Sequence, residues 1–328
     1  MVNKTIAKIV LLCFCLFFYS CTSNKQELKG IWSEEFETNS KNRDDTKIIT
    51  GEASNLSELN LESWDARICL AYDELTLYFH SDRSGGKGNY DIWVSTRKST
   101  TDEWEEPTNV GSPINTQYED FGVFISQDNL VLYFCSDRPG GYGLYDIWYS
   151  TRKNVSENWS EPINLGSVIN SEYNEIGPSL SPNGLEFYFS DYRTFIPRPG
   201  GFGQADIWVS TRESIESSWR EPKNIGSKVN SKWEDYGLTL SRDGLFLFFT
   251  SKRGDNQWNE DIWFSSRDSL LSEWKSPKRF NQTINSDSND KAGWISKDRK
   301  VFYYSSDRNN GKGSIDLWRI VLDKPLEY

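Results

Sequence analysis

The chain has 328 residues, with 37 Lys and Arg against 48 Asp and Glu, a formal net charge of −11. That balance opposes partnership with nucleic acid or with anionic lipid headgroups. Aromatics make up 15% of the residues, 14 of them Trp, which is enough to fill a large core.

At the N-terminus, Lys4 and Lys8 precede an apolar run from Ile9 to Tyr19, followed by Ser20 and Cys21. As a helix that run reaches only about 16 Å, well short of a hydrocarbon core of roughly 30 Å. Residues 1–20 therefore read as a signal peptide and not a span. Its removal takes Lys4 and Lys8 with it and moves the side-chain charge from −11 to about −13. Phe18 to Cys21 resembles the lipobox of bacterial lipoproteins, which implies a lipidated Cys21 as the mature N-terminus. Several acyl chains there anchor a protein stably. Thr22, in place of an aspartate, favours the outer membrane. Residues 21–45, polar and charged, are expected to be a flexible tether.

Beyond the tether the chain repeats itself. Asp-Ile-Trp begins at Asp91, Asp146, Asp206 and Asp261, and Asp-Leu-Trp at Asp316, in steps of 55, 60, 55 and 55 residues. An aromatic run closing on an arginine recurs at Arg83, Arg138, Arg193, Arg253 and Arg308, in steps of 55, 55, 60 and 55. The difference places a five-residue insertion between Arg193 and Asp206. Copy two shows the plan of each unit. Gly122 to Ser126 reads as a first strand, a turn at Gln127-Asp128-Asn129 follows, and Leu130 to Ser136 is the second. A glycine-rich loop from Pro139 to Gly143 leads to a third strand, Tyr145 to Thr151, and a fourth lies around Trp159 to Leu165. The second strand is apolar on both faces, which requires sheet packed on both sides of it. Four antiparallel strands per unit, stacked face to face, make an all-β, five-bladed β-propeller.

Closure of the ring follows from a second spacing. Each fourth-strand region ends in an asparagine with an acid five residues on: Asn115 and Asp120, Asn170 and Glu175, Asn230 and Asp235, Asn285 and Asp290. One step back lie Asn60 and Asp65, with no third strand before them. The last copy lacks a fourth strand. The segment from residue 47 to 56 is thus expected to complete the C-terminal blade and remove the free edges, giving one propeller over residues 46–328.

The phrase Ser136-Asp137-Arg138-Pro139-Gly140-Gly141-Tyr142-Gly143, then Asp146-Ile147-Trp148, with turns such as Ser241-Arg242-Asp243-Gly244, resembles the WD40-like repeats of TolB-like β-propellers. The resemblance implies an envelope interaction module. Some such propellers precede a peptidoglycan-binding domain; with the sequence ending at Tyr328, that activity is not expected here.

The acids Asp65, Asp120, Glu175, Asp235 and Asp290 should form a five-fold ring at the inner rim, near the arginine ring of Arg83, Arg138, Arg193, Arg253 and Arg308. Matched acids and arginines are most simply in-register ion pairs; the functional alternative is a charged funnel for a cation, a glycan or a partner's side chain. Departures from the repeat are the better clues to function, since catalysis needs groups in unlike roles. Tyr192 and Lys252 replace the aspartate of Ser-Asp-Arg, the insertion carries Phe195 and Arg198, and Trp258 sits in a rewritten loop. With Tyr142 these make a candidate binding face on blades three and four.

Gly140-Gly141-x-Gly143 is followed by a strand and lacks the helix N-terminus of a phosphate loop. His80, the only histidine, reads as structural, and Cys69 and Cys135 as buried small residues. No metal site and no cofactor are expected. The expectation is a non-catalytic, lipid-anchored scaffold of the cell envelope that binds another envelope protein or a surface glycan. The rival is a glycan-processing hydrolase, sialidase-like in its turns. It would need two or three acids at the axial mouth free of arginine partners, about 5 to 9.5 Å apart.

Overall fold

The computed structural model describes residues 51–192, 198–254 and 259–327, the Ala292 side chain excepted. The signal peptide, Cys21, the tether, residues 47–50, Arg193, Phe195 and Trp258 lie outside the described residues.

All twenty described elements are strands. The first, β1 (Ala53–Asn55), stands apart from the four regular blades that follow. Blade 1 is β2 (Asp65–Leu70), β3 (Thr76–Ser81), β4 (Asp91–Thr96) and β5 (Thr108–Asn109). Blade 2 is β6 (Asp120–Ile125), β7 (Val131–Ser136), β8 (Asp146–Thr151) and β9 (Ile163–Asn164). Blade 3 is β10 (Ile176–Leu180), β11 (Glu186–Ser190), β12 (Ile207–Thr211) and β13 (Lys223–Asn224). Blade 4 is β14 (Asp235–Leu240), β15 (Phe246–Ser251), β16 (Asp261–Ser266) and β17 (Lys278–Arg279). Blade 5 adds β18 (Asp290–Ile295), β19 (Val301–Ser306) and β20 (Asp316–Val321), and its outer strand is β1. Every pairing within a blade is antiparallel.

Ring closure is visible twice. The first strands touch in a closed circuit, β2 to β6, β10, β14, β18 and back to β2. At the seam, Ala53, Ser54 and Asn55 pair with Ile320, Arg319 and Trp318. Asn60 donates to the Leu317 carbonyl at 2.9 Å and accepts from the Leu317 amide at 2.8 Å. Asn115 does the same for Ile92 in blade 1, at 2.8 and 2.9 Å. The borrowed strand thus repeats the fourth-strand chemistry of a complete blade.

The fourth strands are shorter than the sequence suggests. In blade 2 only Ile163 and Asn164 pair, while Trp159 packs against the core beneath the Arg152 guanidinium, 4.3 Å from its ring centroid. A two-residue edge strand leaves few unpaired backbone groups for another sheet to join. The first strand also starts two residues earlier than expected, at Asp120.

Second strands carry the wedges between blades. In β15 every residue is buried, and Phe248 meets Phe280 and Phe302 at centroid distances of 6.2 and 5.1 Å. Packing on both faces accounts for the continuous apolar run there.

Candidate functional site

The ring acids lie beneath the rim, not on it. Asp65, Asp120, Glu175, Asp235 and Asp290 are fully buried at the heads of the first strands. Arg83 binds Asp65 at 2.6 Å, Arg138 binds Asp120 at 2.5 Å, Arg308 binds Asp290 at 2.6 Å, and Arg253 pairs with Asp235. Each guanidinium also covers two rings, one from the second strand and the repeated tryptophan. For Arg83 these are Phe79 and Trp93, at 4.8 and 5.2 Å.

Blade 3 corrects the sequence register. Its ring arginine is Arg198, which binds Glu175 at 2.9 Å and lies over Phe189 and Trp208 at 5.4 and 5.0 Å. The extra residues therefore precede the functional equivalent of Arg138, and Arg198 is a structural staple, not a free member of a binding face. The arginine reaches the ring from a different backbone position, and blade 3 alone uses the longer glutamate as its acid. Burial pushes the Glu175 carboxyl up to about 7, only partly offset by bonds from Ser171 and by the Arg198 charge.

The repeated Asp of Asp-Ile-Trp caps the glycine loop. Asp146 accepts from the Tyr142 and Gly143 amides at 2.6 and 3.0 Å and from Asn164 at 2.7 Å. A Cβ on Gly141 would stand 2.5 Å from the Asp146 carboxylate, which is why the loop needs glycine there. In blade 4 the sequence of this segment differs, and Asp261 accepts two bonds from Arg279, each 2.9 Å.

What the girdle leaves open is an axial cavity of about 430 Å³, lined by all five blades. One residue past each ring acid, Ala66, Phe121, Ile176, Tyr236 and Lys291 face it. Tyr192 and Lys252 also line it, so these two members of the expected face meet at the axis. Tyr142 stands apart, 54% exposed on its loop. His80 forms part of the wall, edge-on to Tyr90 and Phe121 at 5.7 and 5.8 Å.

The walls differ in character. Tyr192 stacks flat on Tyr236, with centroids 3.8 Å apart and planes 4° from parallel. Beside them Glu260 accepts from the Tyr236 hydroxyl and the Lys291 ammonium, and Lys252 pairs with Glu234 at 2.6 Å. Burial opposes ionisation of Glu260, but Lys291, Tyr236 and Lys252 together outweigh it and hold the carboxyl below its usual range. Burial and the Glu260 charge raise the Tyr236 phenol well above its ordinary value. Glu260 and Asp307 are the carboxylates on the cavity wall among the described residues.

Sequence reasoning missed Glu260 and Arg67. Both are departures at repeated positions, Glu260 where other copies carry Tyr90, Tyr145, Ala205 and Ile315, and Arg67 where they carry Gly122, Gly177, Gly237 and Ala292.

Cys69 and Cys135 are buried free thiols, pushed up to about 12 by burial. Among the described residues no group of three or more His, Cys, Asp or Glu stands together as a metal site, and no helix is long and apolar enough to cross a membrane.

No protein-family profile and no curated protein matches the sequence. Among solved structures, the chain is similar to a GH43_1 enzyme from Xanthomonas citri complexed with xylotriose. Identity is 10% over 82% of this chain and 90% of that one, at a TM-score of 0.53. The GH43 BlXynB protein from Bacillus licheniformis gives 14% identity over 84% and 58%, with a TM-score of 0.51. TolB from Acinetobacter baumannii gives 12% over 80% and 55%, with a TM-score of 0.46, so the chain spans about half the length of that protein. The likeness is one of fold. No chemistry follows from it.

Proposed function

We propose that this propeller is a non-catalytic, lipid-anchored scaffold of the cell envelope that binds a glycan unit in its axial cavity. The observation that carries this reading is the state of the acids. All five ring carboxylates are fully buried, absent from the cavity wall and paired with arginine. A glycosidase needs one carboxyl poised as acid and another as base or nucleophile across the scissile bond. Of the two carboxylates on the wall, Glu260 is held ionised against Lys291 and so is unsuited to donate a proton, and Asp307 accepts from the Asn289 amide and side chain, each at 2.7 Å.

The remaining lining suits recognition. The stacked Tyr192 and Tyr236 rings put apolar aromatic surface on the wall for a sugar ring, while Glu260, Lys291 and Lys252 present acceptors and donors to hydroxyls. Anchoring through Cys21 would hold the cavity at the membrane surface on the 21–45 tether.

One observation favours the hydrolase: Glu175, with its carboxyl at about 7, is tuned like a general acid. Its full burial and its absence from the cavity wall count against that role. Incubating the full-length chain with a panel of aryl glycosides decides between them. The expected result is binding of sugar without release of aglycone. Turnover abolished by Glu175→Gln or Glu260→Gln would establish the hydrolase.

A further inference from the structure

The first strand of each blade is kinked by a register shift just after its ring acid, between Ala66 and Cys69, Phe121 and Phe124, Ile176 and Ser179, Tyr236 and Thr239, and Lys291 and Trp294. In blades 1 to 4 the residue at the kink takes a left-handed backbone. In blades 2, 3 and 4 it is glycine, with φ of 64°, 67° and 61° at Gly122, Gly177 and Gly237. In blade 1 it is Arg67, with φ of 62°. A side chain there is strained where glycine is not. The fold solves the kink with glycine three times, so it is not the kink that calls for Arg67.

The side chain reaches across the axis. Its Nη2 donates to the Leu238 carbonyl of blade 4 at 2.7 Å. The guanidinium lies against two of the kink glycines. A Cβ on Gly177 would stand 3.3 Å from both Nη1 and Nη2, and one on Gly237 would stand 3.7 Å from Nη1. Arg67 is half-buried and lines the axial cavity.

Among the described residues its charge has no carboxylate counter-ion, whereas Arg83, Arg138, Arg198, Arg253 and Arg308 each hold one. The ionisable groups that act on it are the Cys69 and Cys135 thiols, which burial keeps neutral. A guanidinium on the cavity wall with no carboxylate partner among the described residues has the donors to take an anion, locally and against the net negative charge of the chain.

Resting on the glycan reading above, we infer that the cavity takes an acidic sugar, whose carboxylate is held by the free N–H groups of Arg67. Its ring lies on the Tyr192 and Tyr236 wall, and its hydroxyls meet Glu260 and Lys291. Planar, two-pronged recognition of carboxylate is what a guanidinium provides and an ammonium does not.

The test is calorimetric titration of the full-length chain in detergent with oligosaccharides ending in glucuronate or N-acetylneuraminate, with their neutral parents, and with short peptides bearing free or amidated C-termini. The acidic sugars should bind at least ten-fold more tightly than the neutral ones. Arg67→Gly should erase that preference while the melting temperature holds or rises, because glycine relieves the strained backbone. Arg67→Lys should fold normally and lose most of the preference. Equal binding of acidic and neutral sugars would overturn the inference and leave the glycan-binding reading standing. Capture of the free C-terminus alone, with no sugar bound, would overturn both in favour of a peptide ligand. A lower melting temperature in Arg67→Gly, with sugar preference intact, would make Arg67 a crossbar between blades and nothing more.

Discussion

The girdle and the axis of this propeller are built from the same repeats and obey opposite rules. In the girdle, acid, arginine, second-strand aromatic and tryptophan recur around the ring, and where blade 3 displaces its arginine by an insertion, Arg198 restores the contact to Glu175. Along the axis, equivalent positions hold Ala66, Phe121, Ile176, Tyr236 and Lys291, five different chemistries facing one cavity. A position that must do the same job in every blade converges on one answer. A position freed from that job can differentiate, so function in a repeat fold is to be sought where the copies disagree.

The comparison breaks most severely at the seam. Deleting residues 51–60 removes β1 together with Asn60 and its two bonds to Leu317. That leaves β20 as an open edge. The expected outcome is loss of a cooperative melt by circular dichroism and aggregation on size exclusion; a monomer with an unchanged melting curve would show that the ring does not depend on closure.

Within the girdle, Arg138→Ala strips the counter-ion from the fully buried Asp120 and should cost about 3–5 kcal/mol in urea unfolding. Axial substitutions such as Arg67→Gly should cost none of this, so equal losses from both would erase the distinction between the two regions.

A smaller effect sharpens the odd blade. The Glu175 carboxyl sits at about 7 in the folded chain against an ordinary 4.5, because burial outweighs its partners. The native state then keeps a proton that the unfolded chain releases. Stability is whole below pH 4.5 and declines as pH rises toward 7. Asp191, pushed by burial to about 6 from 3.8, adds a decline of the same sign at lower pH. Glu175→Gln should flatten the upper part of the slope in melting temperature measured from pH 5 to 8, and an unaltered slope would show that Glu175 is ionised throughout.

The blades were legible because strand periodicity and a 55-residue step are properties of sequence alone. So was the closing strand, since Asn60 and Asp65 keep the spacing of Asn115 and Asp120. The pairing of Arg198 was legible too but easily passed over: Arg193 holds the place counted from the second strand, while Arg198 keeps the eight-residue step to Asp206 and the Arg-Pro-Gly-Gly run of Arg138. The axial site was hidden for a related reason. Reading for repeated motifs draws attention to the girdle, and the cavity is made of residues that do not repeat. Asp65-Ala66-Arg67 against Asp120-Phe121-Gly122 and Asp235-Tyr236-Gly237 carried the signal, but its meaning depends on a left-handed kink that no composition reveals.

The account places the binding site on the axis and not on the exposed loops of blades 2 to 4. Hydrogen–deuterium exchange of the full-length chain, with and without a saturating acidic oligosaccharide, tests this most directly. New protection should appear at the kinks of the first strands, around residues 66–67, 121–122, 176–177 and 236–237. Protection confined to the loops around Tyr142 and Phe202, with the kinks unchanged, would contradict it.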